Sequence, residues 1–212
     1  MADILVKKMS LEMVDSVAEL HMTAFQGYTN TLIGMPYVRA FIRWFCQADD
    51  AIALCAIDKT NTPVGYVVGA PLGYATNLNK KILWPAVSGI LMRPWLVFNT
   101  RFRWIVANKM RSLKNRGENQ FNKTPMLPSP VISLVGIGVN PEARGQGVGQ
   151  KLIAAFEFFA IETKSKSMRL SVYADNMAAR TLYTKAGWKS FNGATEPLIY
   201  YYKILGSGQL TS

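Results

Sequence analysis

Val135-Gly136-Ile137-Gly138-Val139-Asn140-Pro141-Glu142-Ala143-Arg144-Gly145-Gln146-Gly147-Val148-Gly149-Gln150 is the stretch that decides how this chain folds. An apolar strand, expected over 131–139, leads into a glycine-rich turn, and the turn opens a helix. The first N–H groups of a helix have no internal acceptor and point outward. The helix dipole adds partial positive charge there. Glycines at 145, 147 and 149 let an anion approach the main chain without meeting a Cβ. The expectation is a pyrophosphate site. A Walker loop would end Gly-Lys-Ser/Thr, whereas Gly149 is followed by Gln150, Lys151 and Leu152. A dinucleotide fingerprint needs Gly-x-Gly-x-x-Gly. Gly145-x-Gly147-x-Gly149 has the wrong spacing, and Gly136-x-Gly138 lies inside the strand.

Outward from this stretch, the pattern predicts a helix over 147–163 with Val148, Leu152, Phe156 and Phe159 inward. A strand over 169–173, a helix over 176–186 closed by Gly187, and strands over 188–191 and 198–204 follow. Upstream, a strand over 4–7 precedes a helix capped by Ser10, with Val14, Val17, Ala18, His21 and Phe25 at helical spacing and Gly27 at its end. Residues 27–34 read as a polar loop. A helix over 37–46 with Val38, Phe41, Trp44 and Phe45 as its stripe follows. Strands over 51–57 and 64–70 flank the turn Thr60-Asn61-Thr62-Pro63 and form a hairpin. The order predicts one α/β domain over 1–206, with a mixed, mostly antiparallel sheet flanked by helices. Residues 207–212 read as a loose tail.

Residues 73–129 stand apart as an insertion. Residues 82–98 are very apolar but contain Pro85, Arg93 and Pro94, which argue against a bilayer span. Arg101, Arg103, Lys109, Arg111, Lys114 and Arg116 follow, interleaved with Phe102, Trp104, Ile105 and Met110, and read as basic amphipathic helices. The chain has 212 residues and a formal charge of +11. Residues 77–124 hold ten Lys/Arg and one acid, or +9, against +2 for the remainder. A block of this kind attracts phosphates, nucleic acid or anionic lipid head groups; a merely solvated surface is the plainer reading. The composition, 50% hydrophobic and 17% charged, excludes wholesale disorder. Cys46 and Cys55 read as buried thiols of a reducing, cytoplasmic compartment, and a single His gives no basis for a metal site. No apolar leader opens the chain.

Two blocks carry a resemblance. Arg144-x-x-Gly147-x-Gly149, after a strand ending Val139-x-Pro141, resembles the acetyl-CoA motif of the GNAT superfamily of acetyltransferases. Asn176-Met177-Ala178-Ala179-Arg180-Thr181-Leu182-Tyr183-Thr184-Lys185-Ala186-Gly187-Trp188 is similar to that superfamily's next motif. The likeness covers about residues 131–191; the N-terminal elements agree only in their order, and residues 73–129 depart from the compact pattern.

The resemblance implies that Gln146, Gly147, Val148 and Gly149 bind the coenzyme pyrophosphate through backbone N–H groups, with Arg144 opening the turn. It implies that Ile137 and Val139 hold the pantetheine chain and aim an N–H at the thioester carbonyl. Gly145, Gln150, Asn176 and Ala179 complete the coenzyme set. Tyr183 matches the position whose hydroxyl faces the departing sulfur and protonates it as general acid. Without the resemblance, Ile137 and Val139 are core strand residues, Tyr183 a packed aromatic, and Asn176 a helix N-cap. The general base is not identified. His21 is a candidate and equally a core histidine; Glu142 and Glu196 are weaker ones, and ordered water serves some members. The expected reaction moves acetyl from acetyl-CoA to a primary amine of a small, anionic acceptor, with a nucleotide-linked amino sugar favoured. A non-catalytic acyl-CoA sensor and a protein or peptide N-acetyltransferase are the alternatives. No metal and no nucleic-acid partner are expected; peripheral membrane contact through the insertion and a homodimer stay open.

Overall fold

A computed structural model of the chain describes residues 4–100, 102–103, 107, 126–191 and 198–206. In chain order the elements are β1 (Leu5–Lys8), a 3-10 turn (Leu11–Met13), α1 (Val14–Ala24), α2 (Thr29–Ile33), α3 (Met35–Gln47), β2 (Ile52–Ile57), β3 (Pro63–Pro71) and α4 (Tyr74–Leu91). A 3-10 turn (Pro94–Phe98), β4 (Val131–Val139), α5 (Val148–Glu162), β5 (Ser167–Tyr173), α6 (Met177–Lys185), β6 (Lys189–Phe191) and β7 (Leu198–Ile204) follow. Seven strands form one sheet in the order β1-β2-β3-β4-β5-β7-β6. Only β4 and β5 run parallel; every other neighbouring pair is antiparallel. This is the mixed, mostly antiparallel sheet expected from the element order.

The sheet is sandwiched, because each strand alternates its apolar side chains between two faces. On one face α5 buries Val148, Leu152, Ile153, Phe156 and Ala160. Two glycines of β3 let it sit close. A Cβ on Gly65 would lie 2.9 Å from Leu152, and one on Gly69 would lie 2.4 Å from the Phe156 ring. On the other face α1, α3 and the start of α4 pack with Val14, Val17, Val38, Phe45, Leu78 and Ile82 around Tyr66 and Val68 of β3.

The feature that positions the site lies in β4. Val68 pairs with Gly136 and Gly69 with Leu134, so Val135 is a bulge. A bulge bends its strand and increases the local twist. The parallel pairing with β5 covers only Val131, Ile132 and Ser133, facing Ser167, Met168 and Arg169. From Leu134 onward β4 stays paired with β3, while β5 stays paired with β7 as far as Tyr173. The two central strands therefore splay from Leu134 onward.

Other expectations shift in detail. Residues 29–33 form the short helix α2 rather than a polar loop. Ser10 precedes the 3-10 turn but its side chain makes no capping bond. In α3 the core position belongs to Ile42, and Trp44 is half-buried. The insertion begins as an 18-residue helix, α4, that runs through Pro85; the Ser88 hydroxyl bonds the Pro85 carbonyl. Burial raises the thiol of Cys46 to about 11 and that of Cys55 to about 12, so both stay protonated. The basic helices expected beyond 103, Glu196 and the tail over 207–212 lie outside the described residues.

Gly69→Ala would force its new methyl against the Phe156 ring and the Ser133 carbonyl, 2.5 Å away. Overpacking of this kind costs about 1–3 kcal/mol. Urea unfolding should show that loss with an unchanged slope; an unaltered midpoint would mean α5 is not seated on Gly69.

Candidate active site

The splay leaves a cleft of about 640 Å³ between the end of β4, the glycine turn, the start of α5 and the exposed face of α6. Ile137, Val139, Arg144, Gly145, Gly147, Val148, Gly149, Gln150, Asn176 and Ala179, all singled out from sequence, line this one cleft. Gln146, Tyr183 and His21 are not among its lining residues.

β4 offers the cleft its main chain. Asn140 N–H bonds the Val64 carbonyl of β3 at 2.9 Å. By the two-residue period of a strand, Ile137 and Val139 turn their N–H and C=O groups the other way, toward the gap where β5 is missing. The Val139 carbonyl accepts from Arg144 Nε at 3.4 Å, and Arg144 also reaches the Ala24 carbonyl at 3.3 Å. Arg144 thus ties the strand end to the end of α1 and fixes the start of the turn.

The turn itself needs glycine. Gly145 and Gly147 have φ of +77° and +80°, a region costly for other residues. Gly147 is the N-cap of α5 in that left-handed conformation. The first backbone bond of the helix runs from Lys151 N–H to the Gly147 carbonyl at 3.1 Å. The N–H groups of Val148, Gly149 and Gln150 therefore precede any intrahelical acceptor and face the cleft mouth. Gly149 has a second reason: its Cβ would lie 3.0 Å from Leu182, so it also sets how close α5 and α6 approach. Gln146 is exposed and turns its amide back to the Glu142 carbonyl at 3.1 Å, leaving its main chain as its contribution.

Asn176 caps α6, its side chain accepting from Ala179 N–H at 3.1 Å. Its amide nitrogen also donates to the Tyr28 hydroxyl at 3.4 Å. Phe25 and Tyr28 line the cleft as well, with rings 5.4 Å apart, and the Tyr28 ring meets that of Tyr173 at 5.7 Å. This aromatic bridge spans the cleft from α1 to β5. Sequence reading placed Tyr28 only in a loop and did not single out this role; its pairing across the chain with Asn176 carries no local signal. Lys185, in the last turn of α6, also faces the cleft.

Tyr183 is buried, with its ring 5.9 Å from Trp188 and 5.8 Å from Tyr201. It follows the lining residue Leu182 on α6. Burial, with the neighbouring Tyr201, raises its phenol above the ordinary value and keeps it protonated.

His21 is buried on the opposite face of the sheet, among Phe25, Phe41 and Tyr66. Its Nδ1 and the Tyr66 hydroxyl lie 2.5 Å apart. Tyr66 is fully buried, and its ring lies against Gly138, where a Cβ would sit 2.6 Å away. Gly138, dismissed above as part of a failed fingerprint, is therefore there to admit Tyr66. Burial lowers the imidazole to about 4, so His21 is neutral at pH 7. Glu142 is exposed beside the turn, with its N–H on the Asn140 side chain at 3.2 Å. Among the described residues no group of three or more His, Cys, Asp or Glu could hold a metal.

A match to the acetyltransferase (GNAT) family extends over residues 14–188. The chain belongs to that family, and so to the acyltransferases. No curated protein matches it. Among solved structures, the aminoglycoside N-acetyltransferase AAC(6')-Iy in complex with CoA is similar at a TM-score of 0.60 and 14% identity, covering 92% of this chain and 93% of that one. The PaiA N-acetyltransferase from Thermoplasma acidophilum, in complex with coenzyme A, gives 0.55 at 13%, covering 95% and 99%. The ribosomal-protein-S18-alanine N-acetyltransferase from Escherichia coli gives 0.57 at 10%, covering 99% and 98%. These likenesses are of fold, and the acceptors in those names span a small molecule and a protein.

The His21 environment has a consequence for stability. An unfolded His titrates near 6.5, the folded one near 4. The unfolded chain then binds more protons between those values, so stability from this group is complete above about pH 6.5 and falls as pH drops toward 4. The loss should approach about 3 kcal/mol at its limit. Urea unfolding at several pH values should show this slope in the native protein and a flatter one in His21→Gln; equal slopes would mean His21 titrates normally in the folded state.

Proposed function

We propose that the cleft binds acetyl-CoA and that the enzyme passes its acetyl group directly to a primary amine in a ternary complex. The observation that carries this reading is the convergence of an unpaired strand edge, Ile137 to Val139, with the helix-start N–H groups of 148–150 in one cleft. The pyrophosphate sits on the turn 145–150, helped by Lys185. The pantetheine chain extends β4 as a strand would, occupying the edge that β5 leaves. One N–H on that edge faces the thioester carbonyl and stabilises the oxyanion as the amine adds.

Tyr183 then protonates the departing sulfur. Burial, with the neighbouring Tyr201, raises its phenol, so it is present as the protonated acid that the leaving thiolate needs. His21 is apart from the cleft lining and holds Tyr66 beneath β4; a water takes the proton of the attacking amine. The acceptor enters beside Phe25, Tyr28 and α2. The basic insertion favours an anionic acceptor, a nucleotide-linked amino sugar being the first to try. Two free thiols, Cys55 buried and Cys46 partly so, accord with a cytoplasmic enzyme.

The test is CoA-thiol release from acetyl-CoA across amino sugars, their nucleotide-linked forms, polyamines, amino acids and basic peptides. Turnover with one class is expected, and Tyr183→Phe should lower kcat by about 10²–10⁴-fold with acetyl-CoA affinity retained. Turnover of peptides alone would replace the small acceptor with a protein. Tight acetyl-CoA binding without any turnover would point to a sensor. Gly147→Val, strained at its positive φ, should weaken acetyl-CoA binding about tenfold or more; calorimetry that finds native affinity would remove the pyrophosphate from this turn.

A further inference from the structure

The first helix of the insertion, α4, carries an apolar outer face that does not line the cleft. The inner face of α4 carries Leu78, Ile82 and Gly89, all buried. Half a turn away, Leu83, Trp84, Val87 and Leu91 point to solvent, Trp84 at 77% and Leu91 at 75% exposure. Met92, Trp95 and Phe98 continue the exposed patch through the 3-10 turn, Phe98 at 82%. Four large apolar residues on one helix face, with three more exposed in the seven residues that follow, are far from the scattered exposure of an ordinary surface.

The strip is held in place from behind. A Cβ on Gly89 would lie 2.5 Å from the Ile33 carbonyl, so α4 rests directly on the end of α2. Arg93 donates to that same carbonyl at 2.8 Å, with its guanidinium over Gly34. Leu96 is buried with Ile33 and Phe102 in a small third cluster. The outward face is therefore a fixed feature of the folded chain.

Its charge surroundings select the partner. Lys80 continues the face one turn before Trp84, and Lys81 and Arg103 are exposed nearby. No Asp or Glu occurs between Asp58 and Glu118. A second copy docked face to face would bring these cations against their own equivalents. Nucleic acid would use the cations but give Leu83, Val87, Leu91 and Met92 nothing apolar to enter. Only an anionic bilayer surface takes both: hydrocarbon for the aliphatic and aromatic side chains, head groups for the lysines. Among the described residues no helix is long and apolar enough to cross a membrane. We propose that α4 and the 3-10 turn after it lie in the plane of an anionic lipid surface, with Trp84, Leu91, Trp95 and Phe98 inserted and Lys80 and Lys81 at the head groups. The proposal is independent of acetyl transfer, because binding is read without turnover.

Co-sedimentation of the full chain with phosphatidylcholine vesicles, with and without about 30% phosphatidylserine, tests it. The native protein should partition to the anionic vesicles at least about tenfold more strongly than to neutral ones. Trp84→Ser with Leu91→Ser should reduce that partition about tenfold or more. Lys80→Glu with Lys81→Glu should abolish the preference for anionic vesicles. Both double variants should bind acetyl-CoA as the native protein does, which shows that they fold. Equal recovery of native protein and the Trp84/Leu91 variant with vesicles, or no binding to either vesicle, overturns the proposal. So does sedimentation equilibrium showing a native dimer that the Trp84/Leu91 variant loses, since a second copy then covers the strip.

Discussion

The hydrogen-bond ladder between β4 and β5 stops after Ser133 and Arg169, and the site depends on that interruption. A parallel pair at the centre of a sheet would ordinarily be continuous and dry. Here the bulge at Val135 bends β4 away just where the pairing ends. The cost is a row of main-chain groups from Leu134 to Val139 that β5 no longer pairs, with only the Val139 carbonyl met from that side among the described residues, by Arg144 Nε. That same row is what an extended ligand can satisfy. Everything else around it either keeps the gap open or furnishes its far wall. Tyr66 fills the space under Gly138 with its hydroxyl held by His21, so β4 is supported from below where β5 no longer flanks it. The Phe25–Tyr28–Tyr173 contacts, with the Tyr28–Asn176 hydrogen bond, brace the two sides across the opening.

The second dependency is the seating of α5. Its N-terminus can serve an anion only if the helix is rigid and aimed. Gly65 and Gly69 allow Leu152 and Phe156 to bed into β3, and Gly149 allows Leu182 of α6 to close against its first turn. The glycines of this chain thus divide by task. Gly145 and Gly147 supply backbone conformations, while Gly65, Gly69, Gly138 and Gly149 make room for a neighbour.

The strands and longer helices were legible because their periodicities are strong. β4 and β7 match their expected bounds, and α5 and α6 do so within a residue or so at each end. Ten of the residues singled out for the coenzyme meet in one cleft, because both motifs are local in sequence and lie on elements that the fold places side by side. What sequence did not show is non-local. The splay position follows from a bulge with no residue signature of its own. The Tyr28–Asn176 bridge joins residues far apart in the chain. The role of His21 depends on Tyr66, which comes from another element. The helix α2 is too short to display a period, and its turn-like composition reads as loop. In α4 a proline inside a helix ordinarily breaks it, yet the helix runs through Pro85, with Leu78, Ile82 and Gly89 packed beneath it on either side.

Hydrogen–deuterium exchange, compared with and without saturating acetyl-CoA, bears most directly on the claim that the β4–β5 gap is the coenzyme site. If the coenzyme fills the gap, new protection appears at the amides of Ile137 and Val139 and across 145–150, with β2 and β7 unchanged. Protection that appears elsewhere, with the free edge of β4 exchanging as before, would contradict it.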